Sequence, residues 1–88
     1  MYSVELSQKA DKFLEKLDSS ISYRIKERLK RLGDNPTPND IKFIGRDMDD
    51  KIFRYRIGDY RALYKVKDAE KIVLIAKIDK RPRVYRME

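Results

Sequence analysis

The stretch from Ile52 to Val66 leaves little choice of local fold. Phe53, Tyr55 and Ile57 alternate with Arg54 and Arg56, and after Gly58-Asp59 the residues Tyr60, Ala62, Tyr64 and Val66 alternate with Arg61, Leu63 and Lys65. A period of two sends successive side chains to opposite faces of a strand. A Gly-Asp pair between two such runs predicts a two-residue hairpin turn of type I′ or II′. That turn fixes the register: Ile57 opposes Tyr60, Arg56 opposes Arg61, Tyr55 opposes Ala62 and Arg54 opposes Leu63. One face of the hairpin is then aromatic and belongs in a core. The other carries arginines.

The remaining elements follow from periodicity and caps. Tyr2 to Leu6 reads as a short first strand, and Ser7 is a good N-cap for a helix in which Ala10, Phe13, Leu14 and Leu17 form one apolar stripe. Asp18, Ser19 and Ser20 interrupt it and cap a second helix with Ile21, Ile25, Leu29 and Leu32 on one side and Arg24, Lys26, Glu27, Arg28, Lys30 and Arg31 on the other. Gly33, Asn35, Pro36, Thr37 and Pro38 end this helical hairpin. Ile41 to Ile44 reads as a short strand, Gly45 to Asp50 as an acidic loop, and Asp68 to Glu70 as a turn. Ile72 to Ile78 is apolar at nearly every position, as in a central strand covered on both faces. Asp79 to Pro82 reads as a basic loop and Arg83 to Arg86 as a last short strand. The expected architecture is α+β, one domain spanning 1–88, with an N-terminal strand and an α-helical hairpin packed on a small, mostly antiparallel sheet.

Charge is distributed unevenly. Residues 1–50 carry ten Lys/Arg against ten Asp/Glu and residues 51–88 carry twelve against five, so the net +7 arises wholly in the second half. A basic domain attracts nucleic acid or an acidic protein. Arg56 facing Arg61 is a like-charge cross-strand pair that costs roughly 0.2–1 kcal/mol, with Arg54 adding to the repulsion. Such an arrangement makes sense if an anion binds there, and phosphate suits a cluster of guanidiniums. The competing reading is that these arginines are solvated or pair with Asp47, Asp49 or Asp50. The basic face of the second helix is a further, weaker candidate for nucleic acid.

Several functions are excluded. The chain has no cysteine and no histidine, so it lacks disulfides, thiolate nucleophiles and the usual zinc ligand and general base. No metal or other cofactor is expected, the Asp47–Asp50 acids reading as a solvated turn. No apolar run reaches membrane-spanning length and no signal peptide is evident, which implies a cytoplasmic protein without a membrane partner. Sparse Asn and Gln with abundant Lys, Glu, Arg and Ile resemble the composition of heat-adapted proteins.

The order of elements, the run Phe53-Arg54-Tyr55-Arg56-Ile57-Gly58-Asp59-Tyr60-Arg61-Ala62-Leu63-Tyr64, and the tail Lys80-Arg81-Pro82-Arg83-Val84-Tyr85-Arg86 together resemble the RelE/ParE toxin superfamily over nearly the full chain. RelE-type members are toxins of toxin–antitoxin pairs that enter the ribosomal A site and cut messenger RNA. ParE-type members poison DNA gyrase. The resemblance implies that Arg54, Arg56, Arg61, Arg81, Arg83 and Tyr85 are catalytic and that Lys51, Lys80 and Arg86 assist RNA binding. Arg61 and Arg81 would clamp the phosphate while the ribose 2′-hydroxyl attacks it without a metal, and Tyr85 would stack on a base or join proton transfer, unless it packs on the core. It implies as partners a RelB-like antitoxin, the ribosome and mRNA, with a toxin–antitoxin heterotetramer and a role in translation inhibition under stress. One departure bears on mechanism. Where relatives can offer a lysine as general base this chain has Arg54, and a guanidinium gives up its proton poorly; Lys51 or Lys80 could substitute. The alternatives are a gyrase poison and a non-catalytic protein whose arginines hold antitoxin or nucleic acid.

Overall fold

In the computed structural model, which describes residues 1–80, the elements run β1 (Ser3–Leu6), α1 (Gln8–Glu15), α2 (Ser19–Lys30), a 3-10 turn (Arg31–Gly33), β2 (Ile41–Asp47), β3 (Asp50–Ile57), β4 (Tyr60–Lys67) and β5 (Ile72–Lys80). The strands form one sheet in the order β1-β5-β4-β3-β2. Only β1 and β5 pair in parallel; the other pairs are antiparallel. Both helices pack on one face, as the amphipathic stripes require. Ala10 and Leu14 of α1 and Ile25 and Leu29 of α2 are buried against Phe53, Tyr55, Ile57, Ala62, Tyr64, Val66, Val73, Ile75 and Ile78 of the sheet. The expected α+β architecture is therefore the observed one, and the expected strand Arg83–Arg86 lies outside the described residues.

Ser7 joins two parts of the fold. Its hydroxyl accepts the Ala10 N–H at 3.1 Å, capping α1, and donates to the Ala76 carbonyl of β5 at 2.8 Å. Tyr64 does the same for the segment between α2 and β2. It is fully buried, stacks on Phe53 with ring centroids 5.5 Å apart, and donates its hydroxyl to the Pro36 carbonyl at 2.6 Å. The proline-rich break is thereby fastened to the core.

Two local readings need correction, and a third gains its physical reason. Gly45 to Asp50 is no loop: β2 runs on to Asp47, pairs with Asp50, and turns through Met48-Asp49. Met48 sits at φ 58°, a left-handed conformation that glycine or asparagine more readily adopts, which is why the turn escapes recognition in the sequence. Gly33 is required by close approach: a Cβ there would stand 2.9 Å from the Tyr2 carbonyl oxygen, while its own carbonyl accepts the Tyr2 N–H at 2.8 Å. Asp79 and Lys80 belong to β5, which lies in the sheet interior but buries only its helix-side residues, leaving Ile72 and Leu74 half-covered.

Replacing Ser7 by alanine removes both bonds and should cost about 1–2 kcal/mol in urea unfolding. Burial raises the Tyr64 hydroxyl pKa above its ordinary value. A raised folded-state pKa leaves stability intact below about pH 10 and erodes it above, where only the unfolded tyrosine ionises freely. Melting temperature should accordingly fall with pH above about 10, and less steeply in Tyr64→Phe, which is itself about 1–2 kcal/mol less stable at neutral pH because the Pro36 carbonyl loses its donor.

Candidate functional site

The β3–β4 hairpin has the register its sequence dictates. Ile57 opposes Tyr60, Arg56 opposes Arg61, Tyr55 opposes Ala62 and Arg54 opposes Leu63. Gly58 takes φ 58° and Asp59 is not in the left-handed region, the pattern of a type II′ turn. Because Tyr55, Ile57, Ala62 and Tyr64 face the helices, alternation places Arg54, Arg56 and Arg61 together on the opposite face of the sheet.

The three arginines differ in setting. Arg56 is exposed and Arg54 partly covered. Arg61 is only 3% exposed, and its Nη1 donates to the carbonyls of Gly58, at 3.1 Å, and Tyr60, at 3.0 Å. Arg61 therefore braces the turn as well as facing Arg56. The hairpin's own acid on this face, Asp50, stands at the far end of β3 from the turn, and near the turn β5 brings another: Asp79 opposes Arg61 in the ladder. The acids near the β2–β3 turn serve other cations, Lys65 holding Asp47 by a hydrogen-bonded ion pair and Lys67 lying 4.0 Å from Asp50. The hydrogen bond and charge of Lys65 lower the Asp47 pKa, and Asp47 raises that of Lys65.

The structure separates residues expected to act together. Lys51 opposes Val66, and Lys80 opposes Tyr60. Both positions belong to the helix side of the sheet, so neither lysine shares a face with Arg54. Arg81, Arg83, Tyr85 and Arg86 lie outside the described residues. On α2, Arg28 turns toward the sheet, donating from Nε to the Tyr55 hydroxyl at 3.2 Å and lying 3.6 Å from Asp40, while Lys30 pairs with Glu27. The basic helix face is thus partly engaged in internal contacts.

Besides Lys65 and Lys67 of β4, two lysines that the sequence did not single out, from the neighbouring strands, join the arginine face. Lys42 of β2 directly opposes Arg54, and Lys77 of β5 opposes Leu63. Each is carried there by a β-bulge, with Ile44 the extra residue in β2 and Ala76 the extra residue in β5.

A family model described as the ParE toxin of type II toxin–antitoxin systems, parDE, matches residues 4–85. This chain belongs to the ParE/RelE toxin family. The toxin is 33% identical over 86 residues to the candidate toxin RelE1 of Methanocaldococcus jannaschii, covering 97% of this chain and 96% of that protein. Its fold superposes with a TM-score of 0.83 on the crystal structure of the archaeal RelE–RelB complex from Pyrococcus horikoshii, at 29% identity and covering 93% of this chain and 97% of that one. The RelBE2 toxin–antitoxin complex of Mycobacterium tuberculosis matches with a TM-score of 0.76 and 30% identity, covering 91% of this chain and 98% of that one.

The Arg56–Arg61 pair sets two like charges opposite each other in the ladder. Arg56→Thr relieves the repulsion and favours a strand, so it should raise unfolding free energy by about 0.2–1 kcal/mol at low salt. In about 1 M salt, where exposed charges are screened, the gain should shrink in parallel urea titrations.

Proposed function

We propose that this toxin is a ribosome-dependent endoribonuclease that enters the A site, cuts messenger RNA there and so inhibits translation. The observation that carries this reading is the hairpin register, which gathers Arg54, Arg56 and Arg61 on the face away from the helices despite their mutual repulsion. Cleavage by the ribose 2′-oxygen needs in-line positioning and donors for the charge that builds on the phosphorane oxygens. Guanidiniums supply such donors without a metal. In this reading Arg54 and Arg56 receive the phosphate backbone, and Arg61, fixed by the turn carbonyls, forms one side of the clamp. Arg81 forms the other and assists the leaving 5′-oxygen; Arg83 and Arg86 add positive charge and Tyr85 stacks on a base or takes part in proton transfer. The described part of β5 reaches Lys80 opposite Tyr60, beside the hairpin turn, and Arg81 is the next residue in the chain. That nearness in the chain supports the assignment.

The partner in this proposal is a RelB-like antitoxin, supported by the solved RelE–RelB complex of Pyrococcus horikoshii and the RelBE2 complex of Mycobacterium tuberculosis. An acidic antitoxin would meet a chain with net charge +7, and the pair would assemble as a heterotetramer in the cytoplasm. No helix among the described residues is long and apolar enough to cross a membrane. A second reading, a gyrase poison, is favoured by the ParE designation of the matching family model.

In vitro translation of a defined message, with RNA ends mapped by primer extension, separates the two. New ends inside codons are expected only when ribosomes are present, and Arg61→Ala or Arg81→Ala should slow their appearance by about 10²–10³-fold. Antitoxin binding by each variant, measured alongside, controls for the loss of the Arg61 brace. An intact message with normal translation, together with DNA breaks in the presence of gyrase, would establish the second reading instead.

A further inference from the structure

We propose that Lys42 is a catalytic residue of this toxin, the group that moves the proton during cleavage. The inference rests on the nuclease reading above and answers the difficulty it contains. Attack by a 2′-hydroxyl requires something to take its proton, and the guanidinium of Arg54 is a poor acceptor. A lysine amine can do so, and it must stand on the arginine face to reach the same phosphate.

Among the described residues the pairing of the strands leaves few groups for the role. Lys51 and Lys80 lie on the helix side of the sheet. Lys65 and Lys67 share the arginine face but are turned to Asp47 and Asp50. Asp79 faces Arg61, and its carboxylate accepts the Lys80 N–H at 2.8 Å. Lys77 stands opposite Leu63, a strand removed from Arg54. Lys42 alone among the described lysines directly opposes Arg54, and it is exposed. Directly opposed residues have Cβ atoms about 4.5–5.5 Å apart, so a lysine and an arginine there can reach one phosphodiester together.

The bulge makes this placement specific. Counting back from the Asp47–Asp50 pair without an extra residue, Lys42 would fall opposite Tyr55, on the core side. With Ile44 bulged out, Ile41 takes the place opposite Tyr55, Phe43 meets Phe53, and Lys42 emerges beside Arg54. The charged groups around it are Arg54 and, diagonally, Arg56 on β3, with Asp40 two residues before it, 3.6 Å from Arg28 of α2.

In the proposed step the Lys42 amine takes the 2′-hydroxyl proton as O2′ bonds to phosphorus and the bond from phosphorus to O5′ breaks. The proton is then returned to the 5′-oxygen. The products are a 2′,3′-cyclic phosphate and a 5′-hydroxyl, and no co-reactant is consumed.

The chain has no cysteine, so Lys42→Cys can be alkylated with 2-bromoethylamine at that position alone. This restores an amine of lysine-like length but lower basicity. Single-turnover cleavage of a ribosome-bound message should be compared across pH for the wild type, Lys42→Arg, Lys42→Cys and the aminoethylated protein. Lys42→Arg and Lys42→Cys should cleave about 10²-fold more slowly or worse, with ribosome binding and thermal melting of Lys42→Arg unchanged. Aminoethylation should restore most of the rate and displace the rising limb of the pH profile to lower pH, which a merely structural side chain would not do. Lys42→Arg cleaving at the wild-type rate with an unchanged profile would overturn the role of Lys42 and leave the nuclease reading standing. A wild-type protein that leaves the message whole would overturn both.

Discussion

Everything in this structure depends on the two-residue turn at Gly58-Asp59. A hairpin of side-chain period two has no intermediate registers, because a slip by one residue would carry Tyr55, Ala62 and Tyr64 out of the core and the arginines into it. Burial of these tyrosines and of Phe53 and Ile57 beneath two helices supplies the driving force, while the left-handed φ of Gly58 supplies the geometry. The arginine face is the consequence. Core and candidate site are two sides of one alternating sequence, and neither can be moved without the other.

The flanking strands adjust to that hairpin through bulges rather than by continuing the alternation. In β5 the extra residue Ala76 lets Val73 and Ile75 on one side of it and Ile78 on the other all face the core, and it leaves Lys77 opposite Leu63 and Asp79 opposite Arg61. Its carbonyl, displaced from the ladder, is taken up by Ser7 at the start of α1. In β2 the extra residue Ile44 likewise turns Ile41 and Phe43 toward the aromatic core and Lys42 away from it. Each bulge thus satisfies packing on one face while resetting which charges meet on the other.

This explains what the sequence revealed and what it concealed. The hairpin, both helices, the N-cap at Ser7 and the apolar β5 were legible because each is a local pattern with one reading: alternation about a glycine, a helical stripe after a serine, a continuous apolar run. The ParE/RelE family was legible from the same run of residues. The β2–β3 turn was not, since Met48 at positive φ carries none of the usual turn chemistry and the acids around it suggest a loop. With that turn hidden, the pairing of β2 could not be counted, and even a correct count would have placed Lys42 on the wrong face without the bulge. Lys51 and Lys80, which the resemblance assigns to RNA binding, fall by strand parity on the face away from the arginines, which a reading without the full register does not show. The brace that Arg61 gives the turn was equally invisible, as it depends on where a buried guanidinium meets main-chain carbonyls.

The charges on the arginine face are also divided along its length, and the division has a physical consequence. Toward the β2–β3 turn the lysines are neutralised locally, Lys65 by Asp47 and Lys67 by Asp50. Toward the Gly58-Asp59 turn stand Lys42, Arg54, Arg56, Arg61 and Lys77, with Asp79 as the acid paired in the ladder. The exposed cations Lys42 and Arg56 stand toward that turn, where their charge is felt over a Debye length of roughly 8 Å at physiological salt. In the proposed function these two would meet the phosphate backbone first. The acids of β2 and β3, held by Lys65 and Lys67, stay clear of that end.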